Sequence, residues 1–117
     1  VGIRVLIVDD SEAFRSSLRS LLEDEGLLLV PDAVDGRTAL SALDAHRPDV
    51  VLLDVGLPGS DGIEVACWIA ARPSPPAVVL VSSRPAAVYG GRLASAPVRG
   101  FLPKEGLSAA AVLALVR

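Results

Sequence analysis

Residues 3–26 read IRVLIVDDSEAFRSSLRSLLEDEG, and the two halves of this stretch have different periods. Ile3 to Val8 is a short apolar run rich in β-branched residues, closed by Asp9 and Asp10, and it reads as a strand. Beyond it Ser11 stands as a helix cap. Phe14, Leu18, Leu21 and Leu22 then recur on one helical face, and Gly26 supplies the stop. A strand running directly into an amphipathic helix is the opening of a βαβ unit.

The same alternation continues along the chain. Leu27 to Val34, Val50 to Leu53, Ala77 to Val81 and Val98 to Leu102 read as four further strands. Between them Asp35 and Gly36 make a turn before Ala39, Ala42 and Leu43, and Ile63, Ala66, Cys67 and Ala70 form a second helical stripe. Ser108 can cap a last helix running to Arg117. Residues 84–96 are interrupted by Gly90 and Gly91 and bracketed by Pro85 and Pro97, so a short or irregular helix is expected there. Strands alternating with helices imply right-handed crossovers and a mostly parallel sheet covered on both faces. Proline placement orders the strands, because proline cannot donate to a ladder and is confined to edges and strand ends. Pro31 lies in the second strand and Pro103 closes the fifth, so these two should be the edges. The flavodoxin-like doubly wound order 2-1-3-4-5 meets that requirement, whereas 3-2-1-4-5 would bury the second strand.

Composition bounds the function. The 117 residues fit one globular domain spanning 1–117, and 51% hydrophobic against 21% charged residues excludes a disordered tail. Eleven Lys plus Arg against fourteen Asp plus Glu give a net charge of −3 with no basic run, so direct nucleic-acid contact by this segment is not expected. The single cysteine, Cys67, cannot form an internal disulfide or a multi-cysteine zinc site, and it favours a reducing, cytoplasmic compartment. The charge-free stretch from Gly106 to Val116 falls short of the roughly eighteen residues a spanning helix needs, so no membrane association is expected. Val5 to Val8 is too short for the apolar part of an export signal, although Val1 is not expected to be the original first residue.

In such a sheet the ligand crevice lies beyond the carboxyl ends of the strands, at the switch point between the first and third. The first strand ends in Asp9 and Asp10, the third in Asp54, the fourth in Ser82 and the fifth in Lys104, and all five converge on one edge. Three crowded carboxylates raise one another's pKa, so a divalent cation or a lysine must neutralise them for the ionised cluster to persist. Oxygen-only ligands suit Mg²⁺.

Four segments, LIVDDS at 6–11, VVLLDVGLPGSDG at 50–62, LVSS at 80–83 and GFLPK at 100–104, together resemble the receiver domain of two-component response regulators over essentially the whole chain. The resemblance implies a phosphorylation-activated switch rather than a metabolic enzyme. Asp54 would be the phosphoacceptor, taking a phosphoryl group from a sensor histidine kinase and holding it as an acyl phosphate. Asp9, Asp10 and Asp54, with the Gly56 carbonyl, would hold Mg²⁺. Lys104 would pair with Asp54 and then with the phosphoryl oxygens, and Ser82 would turn in to hydrogen-bond them. Phe101 stands where the family has an aromatic whose rotamer follows that hydroxyl and carries the change to the face of the fourth helix, fifth strand and fifth helix. Homodimerisation on phosphorylation and control of transcription would follow.

Departures from the commoner pattern matter too. Glu105 rather than proline follows Lys104, so the cis peptide often found there is not expected. The GSDG and FLPK variants are similar to receivers that carry a C-terminal helix-turn-helix DNA-binding domain, which would lie outside this chain; a stand-alone receiver is the other possibility. Gly56 has no side chain to block water, and Arg84 is placed to reach a phosphoryl group, so both positions would tune its lifetime. His46 reads as a solvated helix-terminal residue, Cys67 as an inert buried thiol and Trp68 as a partly exposed surface aromatic. The almost wholly apolar helix after Ser108 offers an outer face for a dimer or for downstream sequence.

Competing readings fare less well. A Mg²⁺-dependent phosphatase with an aspartate nucleophile generally places a second acid two residues on, where this chain has Gly56. A nucleotide-binding flavodoxin-like protein would need a glycine-rich loop after the first strand, where VDDSEAF stands. A receiver-like interaction module working without phosphate has no need of all five of Asp9, Asp10, Asp54, Ser82 and Lys104.

Overall fold

The computed structural model describes residues 2–117. In chain order the elements are β1 (Arg4–Val8), α1 (Glu12–Asp24), β2 (Leu28–Leu29), α2 (Gly36–His46), β3 (Val50–Asp54), α3 (Gly62–Ala70), β4 (Ala77–Ser82), a 3-10 turn (Ala86–Tyr89), α4 (Gly91–Ala94), β5 (Gly100–Pro103) and α5 (Ala109–Val116). The sheet is parallel throughout with the order β2-β1-β3-β4-β5, as the two prolines required. Side chains alternate across it. Leu6, Val8, Val51, Leu53, Val78 and Leu80 point into the core shared with α2 and α3, while Val5, Ile7, Val50, Leu52 and Val79 face α1 and α5. Burial on both faces explains why these strands read as unbroken apolar runs. Among the described residues no helix is long and apolar enough to cross a membrane.

Three expectations need correction. The second strand is only Leu28–Leu29, with an isolated bridge from Val8 to Ala33. Val30 N–H donates to Val5 O and Ala33 N–H to Ile7 O, so three residues on this side span two on β1. The extra residue falls at Pro31–Asp32 and bulges the chain out of the ladder. On α1, Leu18 and Leu22 are buried but Leu21 is 40% exposed, since the helix turns a narrower stripe to the sheet than the spacing suggested. On α3, Cys67 is exposed rather than buried, and the buried face is Gly62, Ile63, Val65, Ala66 and Ile69. Gly62 sets this rotation. A Cβ there would lie 2.3 Å from Asp54 O and 2.6 Å from Val55 Cα, so the first turn sits flush on the end of β3 and carries Cys67 around to solvent.

The readings of the caps, of residues 84–96 and of Trp68 match. Ser11 Oγ accepts from Phe14 N–H, and Ser108 Oγ from Ala111 N–H. Asp35 caps α2 reciprocally with Thr38, which holds its carboxyl below the usual range, backbone N–H first and hydroxyl second. Residues 84–96 form only the 3-10 turn and the one-turn α4, neither with a fully buried residue. Trp68 is part-exposed. No peptide bond among the described residues is cis.

Candidate functional site

Register brings the site together. Val8 pairs with Leu53, Asp54 with Val81 and Ser82 with Pro103, so the residues that end or follow each strand meet at one edge. Asp9, Asp10 and Asp54 each offer a carboxylate oxygen within 4.8 Å of the others. Asp9 is wholly buried, Asp54 nearly so, and Asp10 is exposed. Asp9 Oδ1 accepts from Ser11 N–H at 2.8 Å and Asp54 Oδ1 from Gly56 N–H at 3.0 Å.

Asp9 Oδ2 is buried with no hydrogen bond of good geometry. What neutralises it is Lys104 Nζ, 2.5 Å away, which also lies 3.4 Å from Asp54 Oδ2. The resemblance implied Asp54 as the lysine's partner. Asp9 is the nearer one: each carboxylate gives Oδ1 to a backbone N–H and leaves Oδ2 to the lysine, but the Asp9 side chain is wholly buried while that of Asp54 keeps some contact with solvent. Lys104 is the chain's only lysine, and its ammonium is packed 4.5 Å above the Phe14 ring centroid.

The electrostatics follow from this packing. Burial raises the Asp54 carboxyl above the ordinary range, and the Asp9 charge adds to it, against the Gly56 N–H and the Lys104 ammonium. For Lys104 burial acts downward, but the Asp9 bond and the two carboxylate charges outweigh it and the pKa ends raised. A raised lysine pKa stabilises the fold fully below the unfolded value near 10.4, and that contribution is lost as pH climbs through the folded value. Replacing Lys104 by Met leaves Asp9 buried and unpaired. In metal-free buffer at pH 7 we expect Lys104→Met to lose about 3 kcal/mol in urea unfolding, and its alkaline fall in stability to be shallower than that of the parent.

An oxygen-only donor set with an under-bonded buried carboxylate fits a hard divalent cation, so this cluster could hold a metal ion. The cleft around it has a volume of about 470 Å³ and is lined by Asp10, Asp54, Gly56, Ser82, Arg84 and Lys104, with Asp61 and Tyr89. Ser82 is therefore in the site, but its hydroxyl lies 2.6 Å from Tyr89 Oη and accepts from Arg84 N–H at 2.9 Å. Phe101 does not line the cleft. It packs behind, its ring centroid 5.9 Å from that of Tyr89. Asp61, the cap of α3, pairs with Arg92 at 2.5 Å. Burial raises the Asp61 carboxyl, but the Arg92 guanidinium and the Ile63 N–H more than offset this and leave it lowered.

Sequence reasoning assigned no place to Tyr89, Asp61, Arg92 or Phe14 here. Tyr89 and Arg92 sit in the Gly- and Pro-broken segment, which has no period to read. Phe14 carried only a core signal.

A five-stranded parallel sheet with carboxylates and a lysine gathered at its carboxyl edge defines a receiver fold, and residues 5–116 match the response regulator receiver domain family, to which this chain belongs. It is 39% identical over 106 residues to the probable transcriptional regulatory protein NarL of Mycobacterium tuberculosis, covering 88% of this chain and 48% of that protein. To the transcriptional regulatory protein PdtaR of the same organism it is 40% identical over 79 residues, 68% of this chain and 38% of the other. The solved receiver domain of the M. tuberculosis putative response regulator NarL superposes with a TM-score of 0.86 at 33% identity, covering 98% of this chain and 96% of that one. The chain thus spans about half or less of the length of these curated relatives.

Proposed function

We propose that residues 1–117 act as a phosphorylation-controlled switch in which Asp54 accepts a phosphoryl group from a sensor histidine kinase. The observation that carries this reading is the meeting of Asp54 with Asp10 and Lys104 in one open cleft at the carboxyl edge of the sheet, with the buried Asp9 beside them. An Asp54 carboxylate oxygen attacks phosphorus. The O–P bond forms as the P–N bond to the kinase histidine breaks, and the electron pair stays on the imidazole nitrogen, which then takes a proton. Asp9, Asp10, Asp54 and the Gly56 carbonyl would hold Mg²⁺, which when bound shields the incoming phosphoryl charge from the carboxylates. Lys104 supplies a fixed positive charge for the phosphoryl oxygens, and the Ser82 hydroxyl supplies a donor at the end of β4. Gly56 leaves the acceptor open to water and Arg84 lines the cleft's rim, so both act on the lifetime of the acyl phosphate.

Phe101 and the face formed by α4, β5 and α5 would carry the change outward, to homodimerisation and to a helix-turn-helix output domain outside these residues. The printed names of NarL and PdtaR support transcription as the output. Turnover of external substrates is no part of this role, and a cytoplasmic location suits a kinase partner and a DNA-directed output.

The test is intact-protein mass after incubation with a small phosphoryl donor. We expect one phosphoryl adduct with Mg²⁺ and none after the cation is removed by EDTA. Adduct formation indifferent to Mg²⁺ would remove the metal from the reading, and no adduct from either a small donor or a panel of kinases would leave an interaction module that works without phosphate.

A further inference from the structure

The resemblance assigns the switch to Ser82 and Phe101, yet Phe101 has no hydrogen-bonding atom and can follow a hydroxyl only through packing. Tyr89 touches both. Its Oη lies 2.6 Å from Ser82 Oγ, and its ring lies tilted at 55° to that of Phe101, the centroids 5.9 Å apart. It also lines the cleft that holds Asp54. Ser82 is 3% exposed, and a hydroxyl has one proton and two lone pairs. One lone pair is taken by Arg84 N–H, and Tyr89 occupies a second position. A phosphoryl group on Asp54 would have to compete for what Tyr89 holds.

Tyr89 is free to lose that contest. It closes the 3-10 turn Ala86–Tyr89, none of whose residues is fully buried, and the next residue, Gly90, has a positive φ of 55° that allows the chain to pivot. The turn is followed directly by α4, where Arg92 reaches across to Asp61 on the far side of the cleft. Tyr89 and Leu93 bury their side chains only partly against the core, and a segment with no fully buried residue sits at the low-stability end of the fold.

We infer that Tyr89 is a positioning residue that holds the Ser82 hydroxyl in the resting orientation, and that its release when Ser82 turns to the phosphoryl group transmits phosphorylation to Phe101 and α4. This rests on Asp54 being the phosphoacceptor. Removing a hydrogen bond made only in the resting state should favour the phosphorylated form by the strength of that bond, about fivefold in the ratio of adduct to free protein.

Tyr89 is the only tyrosine in the chain, so its ring ¹³Cζ resonance reports on this hydroxyl alone. In the wild-type chain the resonance should move when Mg²⁺ and a small phosphoryl donor are added. In Ser82→Ala it should already sit near the released position and respond little. Tyr89→Phe should raise the adduct ratio about fivefold, and in a Ser82→Ala background the same substitution should change nothing. An adduct visible by mass with an unmoved Tyr89 resonance would overturn the inference alone, as would an unchanged ratio in Tyr89→Phe. No adduct on the wild type would overturn the phosphoacceptor reading and the inference with it.

Discussion

Asp54→Asn is expected to take up no phosphoryl group under conditions that label the parent chain, and to unfold at a higher temperature than the parent. Both results come from one property of the site. Asp54 is nearly buried beside a second carboxylate, and burial first, then Asp9, raise its pKa against the Gly56 N–H and Lys104. A folded pKa above the unfolded value near 3.9 means the native state binds more protons in that window, so stability falls as pH rises through it and stays lower at pH 7. An amide keeps the size and the Gly56 hydrogen bond while removing the charge. It should raise Tm at neutral pH, and the gain should vanish below the unfolded pKa. Scanning calorimetry at pH 7 and pH 3 beside intact mass checks both halves. Equal Tm values at pH 7 would mean the carboxylate is not held at a cost, and a labelled variant would move the acceptor elsewhere.

Gly62→Ala should be the most damaging single methyl group in the chain. Its Cβ would meet Asp54 O at 2.3 Å, Val55 Cα at 2.6 Å and Asp54 C at 3.0 Å, all backbone, so no side chain can swing aside. Gly62 N–H also donates to Val55 O at 2.9 Å, and this bond fixes the loop from Asp54 round to α3. Relief requires lifting α3 off β3 or pushing the Asp54 backbone out of register. We expect a loss of about 3 kcal/mol in urea unfolding and a marked fall in phosphoryl uptake by the folded fraction. Gly56→Ala is the control, because a Cβ there has only Asp54 Oδ1 near it, at 3.8 Å. If Gly62→Ala proved as stable as Gly56→Ala, the close seating of α3 would be wrong.

These two positions also show what the sequence could and could not disclose. The strand order was readable because Pro31 and Pro103 constrain it through a donor they lack, a purely local property. The convergence of Asp9, Asp10, Asp54, Ser82 and Lys104 followed from that order, since each stands at a strand's carboxyl end. Which way α3 turns was not readable. Ile63, Ala66, Cys67 and Ala70 make as good a stripe as Gly62, Val65, Ala66 and Ile69, and the choice between them is made by a glycine's contact with a strand eight residues earlier. Cys67 was misplaced for that reason. The length of β2 was misjudged because a bulge leaves the apolar run intact while breaking its pairing. Spacing likewise could not say that Lys104 leans to Asp9, which depends on how deeply each carboxylate is buried beside the ammonium, nor that Tyr89 meets Ser82 across a segment with no period.

The bulge at Pro31–Asp32 bears on how the molecule behaves in a crowded solution. An open parallel sheet has two free margins, and a long flat margin invites a strand from another copy. Here one margin is cut to two ladder residues. Beyond them Pro31 has no N–H to offer, and Asp32 is drawn back against the body by Arg15 at 3.4 Å and Arg19 at 2.6 Å. The other margin ends at Pro103. Each edge strand is short and meets a proline, so neither margin offers the long row of donors and acceptors that edge-to-edge polymerisation requires.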